Sequence, residues 1–257
     1  MEFVVIPIAA LLASLLTFFS GFGLGTILLS VSAIFFPVDV AVALTAIVHL
    51  LNSTFILSIK ARHVSKDVIL RFGLAAIPAS LLGAYLLSHL ADLKPITTYH
   101  IASNNFSISP VKLIVAAMIL FFALWEVLPR LKETSFNQKY LPLGGLLSGF
   151  FGGLTGLQGA LRGAFLVRTG LPKESYIATN SAVAVMVDLP RISVYVTSLA
   201  LVNTRKDIIL IIVATVAAFL GVLLGNLWLK KITMHIIQII VSILLLAIAL
   251  ALGGGLI

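Results

Sequence analysis

The 257-residue chain contains no cysteine, which removes disulfides, iron–sulfur clusters and thiolate-bound metals from its chemistry. Charge is nearly as scarce. Only 10% of residues are Asp, Glu, Lys or Arg, against 60% hydrophobic, and the mean hydropathy is +1.17. A water-soluble domain of this size needs far more charge to clothe its surface, so that class is excluded. No glycine-rich run ends in Gly-Lys-Ser/Thr, and neither His-Glu-x-x-His nor Gly-x-Ser-x-Gly occurs. ATP hydrolysis and the common intramembrane hydrolase chemistries are therefore unsupported, and no catalytic residue, metal or cofactor is expected. Basic stretches interleaved with aromatics are missing too. The formal charge of +8 is read as loop Lys and Arg orienting a membrane protein, with no nucleic-acid partner. Met1-Glu2-Phe3-Val4 lacks the basic start and cleavage site of a signal peptide, so the first apolar run is expected to stay in the mature protein.

Long apolar runs are what the chain does have, at 4–36, 38–59, 68–90, 111–128, 141–167, 175–202, 208–229 and 236–252. Inside lipid every backbone polar group must pair within the spanning structure, which leaves helices or a closed barrel. Barrel strands are short and alternating; these runs are unbroken and near or above the roughly 20 residues a spanning helix needs. The reading is an all-α integral membrane protein whose first partner is the lipid bilayer.

The chain repeats itself. Ser20-Gly21 with Gly25 matches Thr155-Gly156 with Ala160, and Pro37-Val38-Asp39 matches Pro172-Lys173-Glu174, both at a shift of 135 residues. Lys66-Asp67-Val68-Ile69-Leu70 returns as Lys206-Asp207-Ile208-Ile209-Leu210 at 140, and Leu82-Gly83 as Leu220-Gly221 at 138. Ordered matches with a slowly drifting shift point to duplication. Two homologous four-segment repeats are assigned, 1–130 and 140–257, with a connecting loop at 131–139. Asp67 and Asp207 are expected to cap the helices that follow them.

Each half opens on an interrupted segment. The run at 4–36 is too long for one straight span and carries Gly21, Gly23 and Gly25 near its middle. Its counterpart holds Gly144, Gly145, Gly149, Gly152, Gly153, Gly156, Gly159 and Gly163. Glycine weakens a helix and permits bends or close backbone approach. Paired glycine breaks point to a broken or re-entrant helix at a transport site; tight packing of small-residue faces is the other reading. If the first segments cross the bilayer, the repeats are parallel and loop Lys and Arg split nine to six between the two sides. If they re-enter, the repeats are inverted and the split is eleven to four. The positive-inside rule favours inversion, with both termini outside.

Polar residues inside the apolar runs are the site candidates. Arg162 lies in the second interrupted segment, where a buried guanidinium costs at least about 2.5–3.5 kcal/mol unless it pairs or faces a wet cavity. Its planar fork suits an oxyanion; a snorkelling or structural Arg is the alternative. Half-helix N-termini would add free N–H groups and a positive dipole end for the same anion. Thr45, His49 and Asn52 share one helical face, and Asn180 aligns with Thr45. Ser53 and Ser181 read as interhelical hydrogen-bonding residues. The candidate substrate-binding set is Gly21, Gly23, Gly25, Thr45, His49, Asn52, Gly156, Gln158, Gly159, Arg162 and Asn180. Asp188 and Arg191, three apart, form an ion pair that is either static or a proton relay.

In order along the chain, Gly21-Phe22-Gly23-Leu24-Gly25, Pro37 with Ala41, Ala43 and Thr45, the basic loop 60–66 and Leu82-Gly83-Ala84 resemble the first half of the TauE/SafE sulfite-exporter (TSUP) family. Gly149-Phe150-Phe151-Gly152-Gly153-Leu154-Thr155-Gly156, Pro172 and Ala178-Thr179-Asn180 resemble its second half. The resemblance implies a multi-pass bacterial or archaeal inner-membrane exporter of sulfite, sulfonates and related oxyanions. The chain departs from the family pattern in lacking a proline after the first motif and in carrying Gln158 and Arg162. The expected function is a secondary transporter for a small anionic substrate, by alternating access between the repeats. A passive anion channel and a membrane-embedded enzyme or assembly subunit are the alternatives. Protons are one candidate for the coupling ion, and a homo-oligomer is one candidate for the assembly.

Overall fold

A computed structural model describes residues 1–20, 23–101, 104–132, 134–195, 205–228 and 234–257. The first half consists of α1 (Glu2–Ser20), α2 (Leu24–Ser32), α3 (Val38–Lys60), α4 (Lys66–Ala91) and α5 (Pro110–Val127). The second consists of α6 (Leu141–Thr155), α7 (Gly159–Leu166), α8 (Lys173–Val194), α9 (Arg205–Trp228) and α10 (Met234–Gly253). Among the described residues, three helical stretches, Val38–His63, Lys66–Ala91 and Arg205–Gly225, are long and apolar enough to cross a membrane. Leu70, Leu74, Leu82 and Tyr85 on α4, and Ile208, Ile212, Val216 and Leu220 on α9, stay exposed. In water such faces would drive aggregation; against lipid they are the natural surface.

The membrane helices carry one addition that the all-α reading lacked. Residues 91–110, read from sequence as a loop, contain an antiparallel hairpin of β1 (Thr97–Ile101) and β2 (Asn104–Ile108), with Thr97 opposite Ile108. Thr, Tyr and Ile at alternate positions favour a strand once the segment leaves the apolar core. The Tyr99 hydroxyl donates to the Gly254 carbonyl, which ties the hairpin to the end of α10.

Local chemistry explains the element ends. Pro37 precedes α3 and Pro172 precedes α8 in the same extended conformation (φ −51°, ψ 147° and φ −54°, ψ 152°). Each is followed by an acidic residue in the first turn, Asp39 or Glu174, where it faces the positive end of the helix dipole. Asp67 does not cap α4: Ser65 precedes the helix, and Asp67 sits inside the first turn, 2.8 Å from Arg71.

Helices from the two parts of the chain interleave. The first helix of each half lies against the fourth helix of the other, α1 on α9 and α6 on α4. A Cβ on Gly83 would fall 2.1 Å from the Phe150 carbonyl oxygen and 2.7 Å from the Leu154 nitrogen. A Cβ on Gly221 would fall 2.4 Å from the Leu11 oxygen and 3.0 Å from the Leu15 nitrogen. α3 and α8 run antiparallel, since Lys60 pairs with Glu174 while His49, further back on α3, reaches Asp188, further on along α8. The start of α5 likewise meets the end of α10, where Ala116 faces Gly253.

Both interrupted segments fold back. Gln138 donates to the Arg168 carbonyl, and Arg168 Nε donates to Ser135 Oγ at 2.7 Å. The α6–α7 unit therefore begins and ends at one end of the molecule. In the first half, Leu28 and Val31 of α2 share an apolar cluster with Ile6, Ala10 and Ala13 of α1, and Val5, Phe35 and Phe36 pack against it.

Candidate functional site

The break in the second half is made by one residue. Gly156 ends α6 at φ +81°, in the left-handed region where a side chain is strained, and Gly159 opens α7 three residues later. In the first half Gly23, at φ +126°, precedes α2; Gly21 lies outside the described residues. The two breaks touch: a Cβ on Gly25 would lie 2.6 Å from the Gly156 carbonyl oxygen. Three other glycines of α6 do something else. Gly145, Gly149 and Gly153 form a face onto which Phe72, Ala76 and Ser80 of α4 press their carbonyl oxygens, at 2.1, 2.3 and 2.0 Å from where a Cβ would be. The sequence offered two readings of this cluster, helix break and close packing, and the structure assigns one to Gly156 and the other to that face.

Beside this junction, between α1, α3, α7 and α8, lies a small hollow lined in part by the polar residues Thr17, His49, Asn52, Ser53, Arg162 and Asn180. Its enclosed part has room for only about one water molecule, so an oxyanion would enter only as side chains yield. α3 supplies His49, Asn52 and Ser53 because positions four and three apart stack on one face. α8 supplies Asn180 and Ser181 from its second and third turns, and α7 supplies Arg162.

Arg162 is almost completely buried. Its Nε donates to Asn180 Oδ1 at 2.6 Å, while Nη1 has no hydrogen-bond partner among the described residues. A buried guanidinium nitrogen without an acceptor is costly, and here it belongs to a side chain that lines the hollow. Asn52 Oδ1 accepts from Ser14 Oγ at 2.9 Å, fixing α1 to α3.

Behind the hollow sits a second polar group. His49 Nδ1 lies 2.6 Å from Asp188 Oδ2. Asp188 Oδ1 accepts from Arg191 Nε at 3.0 Å, with Nη2 of the same ion pair 2.8 Å away, and Gln158 Nε2 approaches it at 3.5 Å. Arg191 Nη1 also donates to the Gly152 carbonyl at 3.1 Å, and the Tyr195 hydroxyl to that of Gly153. Arg191 thus stabilises both Asp188 and the negative C-terminal end of α6.

Of the residues singled out by sequence, His49, Asn52, Arg162 and Asn180 line the hollow together. Thr45 is buried one turn from His49, its hydroxyl without a partner among the described residues. Gly23, Gly25, Gly156, Gln158 and Gly159 belong to the junction and not to the lining. The amide of Leu24, the first helical residue of α2, donates to Thr17 Oγ1 at 2.6 Å, so that donor is used internally. Thr17 and Ser14 were missed, although they are isolated polar residues three apart in an apolar run. Ser53 and Ser181, read as interhelical, also line the hollow.

Asp188 is paired with Arg191, while Arg162 makes no ion pair among the described residues, so two buried guanidiniums stand near one carboxylate. A family model described as sulfite exporter TauE/SafE matches residues 6–252. No curated protein and no solved structure matches the chain.

Proposed function

As a member of the TauE/SafE sulfite-exporter family this chain is a membrane protein of a transporter family, and we propose that it exports small sulfur-containing oxyanions, such as sulfite or organosulfonates, by secondary transport. The observation that carries this reading is Arg162, which lines the hollow and whose buried Nη1 has no hydrogen-bond partner among the described residues. A guanidinium fork with one arm held by Asn180 and another unsatisfied is suited to two oxygens of a small oxyanion. Asn52 and Ser53 line the same hollow and are neutral hydrogen-bonding groups.

Alternating access at the hollow is supported by the arrangement of the halves. Gly83 and Gly221 meet the other half's first helix through the same pair of backbone atoms, as a duplicated unit would. The antiparallel sense of α3 against α8, and the return of α6–α7 to its starting end, are the relations expected of inverted repeats. In that arrangement α3 and α8 can rock against each other around Arg162. Ile56 and Ile177, which line the hollow, pack in one apolar cluster with Val222, and Lys60 pairs with Glu174 nearer the basic loop. The setting fits a bacterial or archaeal inner membrane.

Proteoliposomes loaded with radiolabelled sulfite test the proposal. Saturable efflux above that of empty-lipid controls, lost in Arg162→Gln, is the expected result. Absence of flux for sulfite, methanesulfonate and isethionate alike would sink it; unitary currents without saturation would favour a channel.

A further inference from the structure

His49 occupies a position between the hollow and the buried ion pair. Its ring lines the hollow, Nδ1 is held by Asp188 on the opposite helix, and Nε2 has no hydrogen-bond partner among the described residues. α8 presents Asp188 and, through it, Arg191; α7 presents Arg162 across the hollow. Charges of α9 are confined to Arg205, Lys206 and Asp207 at its start, α1 has only Glu2, and α2 has none. α4 and α5 carry theirs near their ends, as Lys66, Asp67, Arg71 and His89, and as Lys112 and Glu126.

With a neutral His49 this assembly has two guanidiniums against one carboxylate, one positive charge in excess. A proton on the imidazole makes the excess two. The proton has a place: Nδ1–H donates to Asp188, and Nε2–H sits on the other edge of a ring whose residue lines the hollow. Asp188 is already paired by Arg191, so it can accept from His49 in either charge state without being left alone in the interior. An anion in the hollow therefore stabilises the imidazolium, and the imidazolium stabilises the anion. The two effects are equal, because linkage between two binding events is reciprocal.

Resting on the transporter reading above, we propose that His49 is the proton-loading residue of this site: it takes up a proton when an anion enters the hollow, with Asp188 as the group that orients and holds the imidazolium. The step is one proton added to an imidazole nitrogen from solvent and lost again when the anion leaves. Anion and proton thus load together, and a dianion would be matched by the two excess positive charges.

Methanesulfonate is the probe of choice, since a sulfonate keeps its single negative charge throughout the range in which histidine titrates, about pH 5 to 8. Binding to the purified protein is measured by calorimetry across that range, together with proton uptake in weakly buffered solution containing a pH indicator. Wild-type protein should bind more weakly as pH rises from 5 to 8, by about tenfold or more. It should take up a fraction of a proton, at most one, per anion bound. His49→Gln keeps a donor to Asp188 but carries no charge, and should bind with flat pH dependence and no uptake. His49→Asn is the second variant if the first does not fold. Wild-type binding that is flat with pH, or a variant that keeps the wild-type slope and proton uptake, overturns the inference and leaves the anion site standing. Wild-type protein that binds no methanesulfonate or sulfite at any pH overturns both.

Discussion

Arg162 and Arg191 are both fully buried guanidiniums, yet their surroundings assign them opposite consequences. Arg191 has its carboxylate and a helix-end carbonyl. Removing it leaves Asp188 with only His49 and Gln158, and stranding a buried charge costs about 3–5 kcal/mol. Arg191→Met should therefore lower the thermal midpoint of the detergent-solubilised protein sharply, with or without substrate. Arg162 has one neutral partner and an idle nitrogen, so its burial is a cost that the fold bears. Arg162→Met should leave the midpoint unchanged or raised while abolishing anion binding. Equal loss of stability in the two variants would make Arg162 a structural residue and remove it from the site.

At the scale of helices, the contact between α4 and α6 depends on atoms that are missing. With Gly149 and Gly153 against the carbonyls of Ala76 and Ser80, the backbones approach closely enough for dispersion and weak Cα–H···O contacts to hold them, which is how helices associate where water provides no drive. A methyl group at 2.0 Å from a carbonyl oxygen must push the helices apart. Gly153→Ala and Gly149→Ala should each cost about 1–3 kcal/mol, the range for overpacking a tight core, read as a drop in the melting temperature in detergent. Two unperturbed melts would show that α4 and α6 do not pack as described. Gly156→Ala combines a strained backbone with a collision against Arg191, and should be more severe than either.

The whole molecule makes a prediction about sides. If α6–α7 re-enters, positions 137 and 170 face the same side of the membrane; if it crossed, they would face opposite sides. The hydrogen bonds among Ser135, Gln138 and Arg168 favour the first. The natural absence of cysteine makes the measurement clean, because each introduced thiol is the only one present. Asn137→Cys and Gly170→Cys should be labelled by an impermeant maleimide from one side, and Asn105→Cys, in the hairpin, from the other. Labelling of 137 and 170 from opposite sides would refute the inverted arrangement and the rocking of α3 on α8 with it.

Composition and hydropathy alone decided that this is a helical membrane protein, because lipid forbids unpaired backbone and the runs are too long and unbroken for strands. Isolated polar residues in apolar runs were legible for the same reason: Arg162, His49, Asn52, Asn180 and Asp188 each cost free energy in lipid, so each implies a partner. Which partner was not legible. The pairing of His49 with Asp188 joins residues 139 positions apart, and nothing in either helix's own periodicity encodes the other. The glycine runs likewise announced loosened backbone without saying which residue bends and which packs. That is a property of the facing surface: Gly153 meets a carbonyl and Gly156 meets a guanidinium. Local sequence fixes what each segment can tolerate, and only the docking of the two halves determines where those tolerances are used.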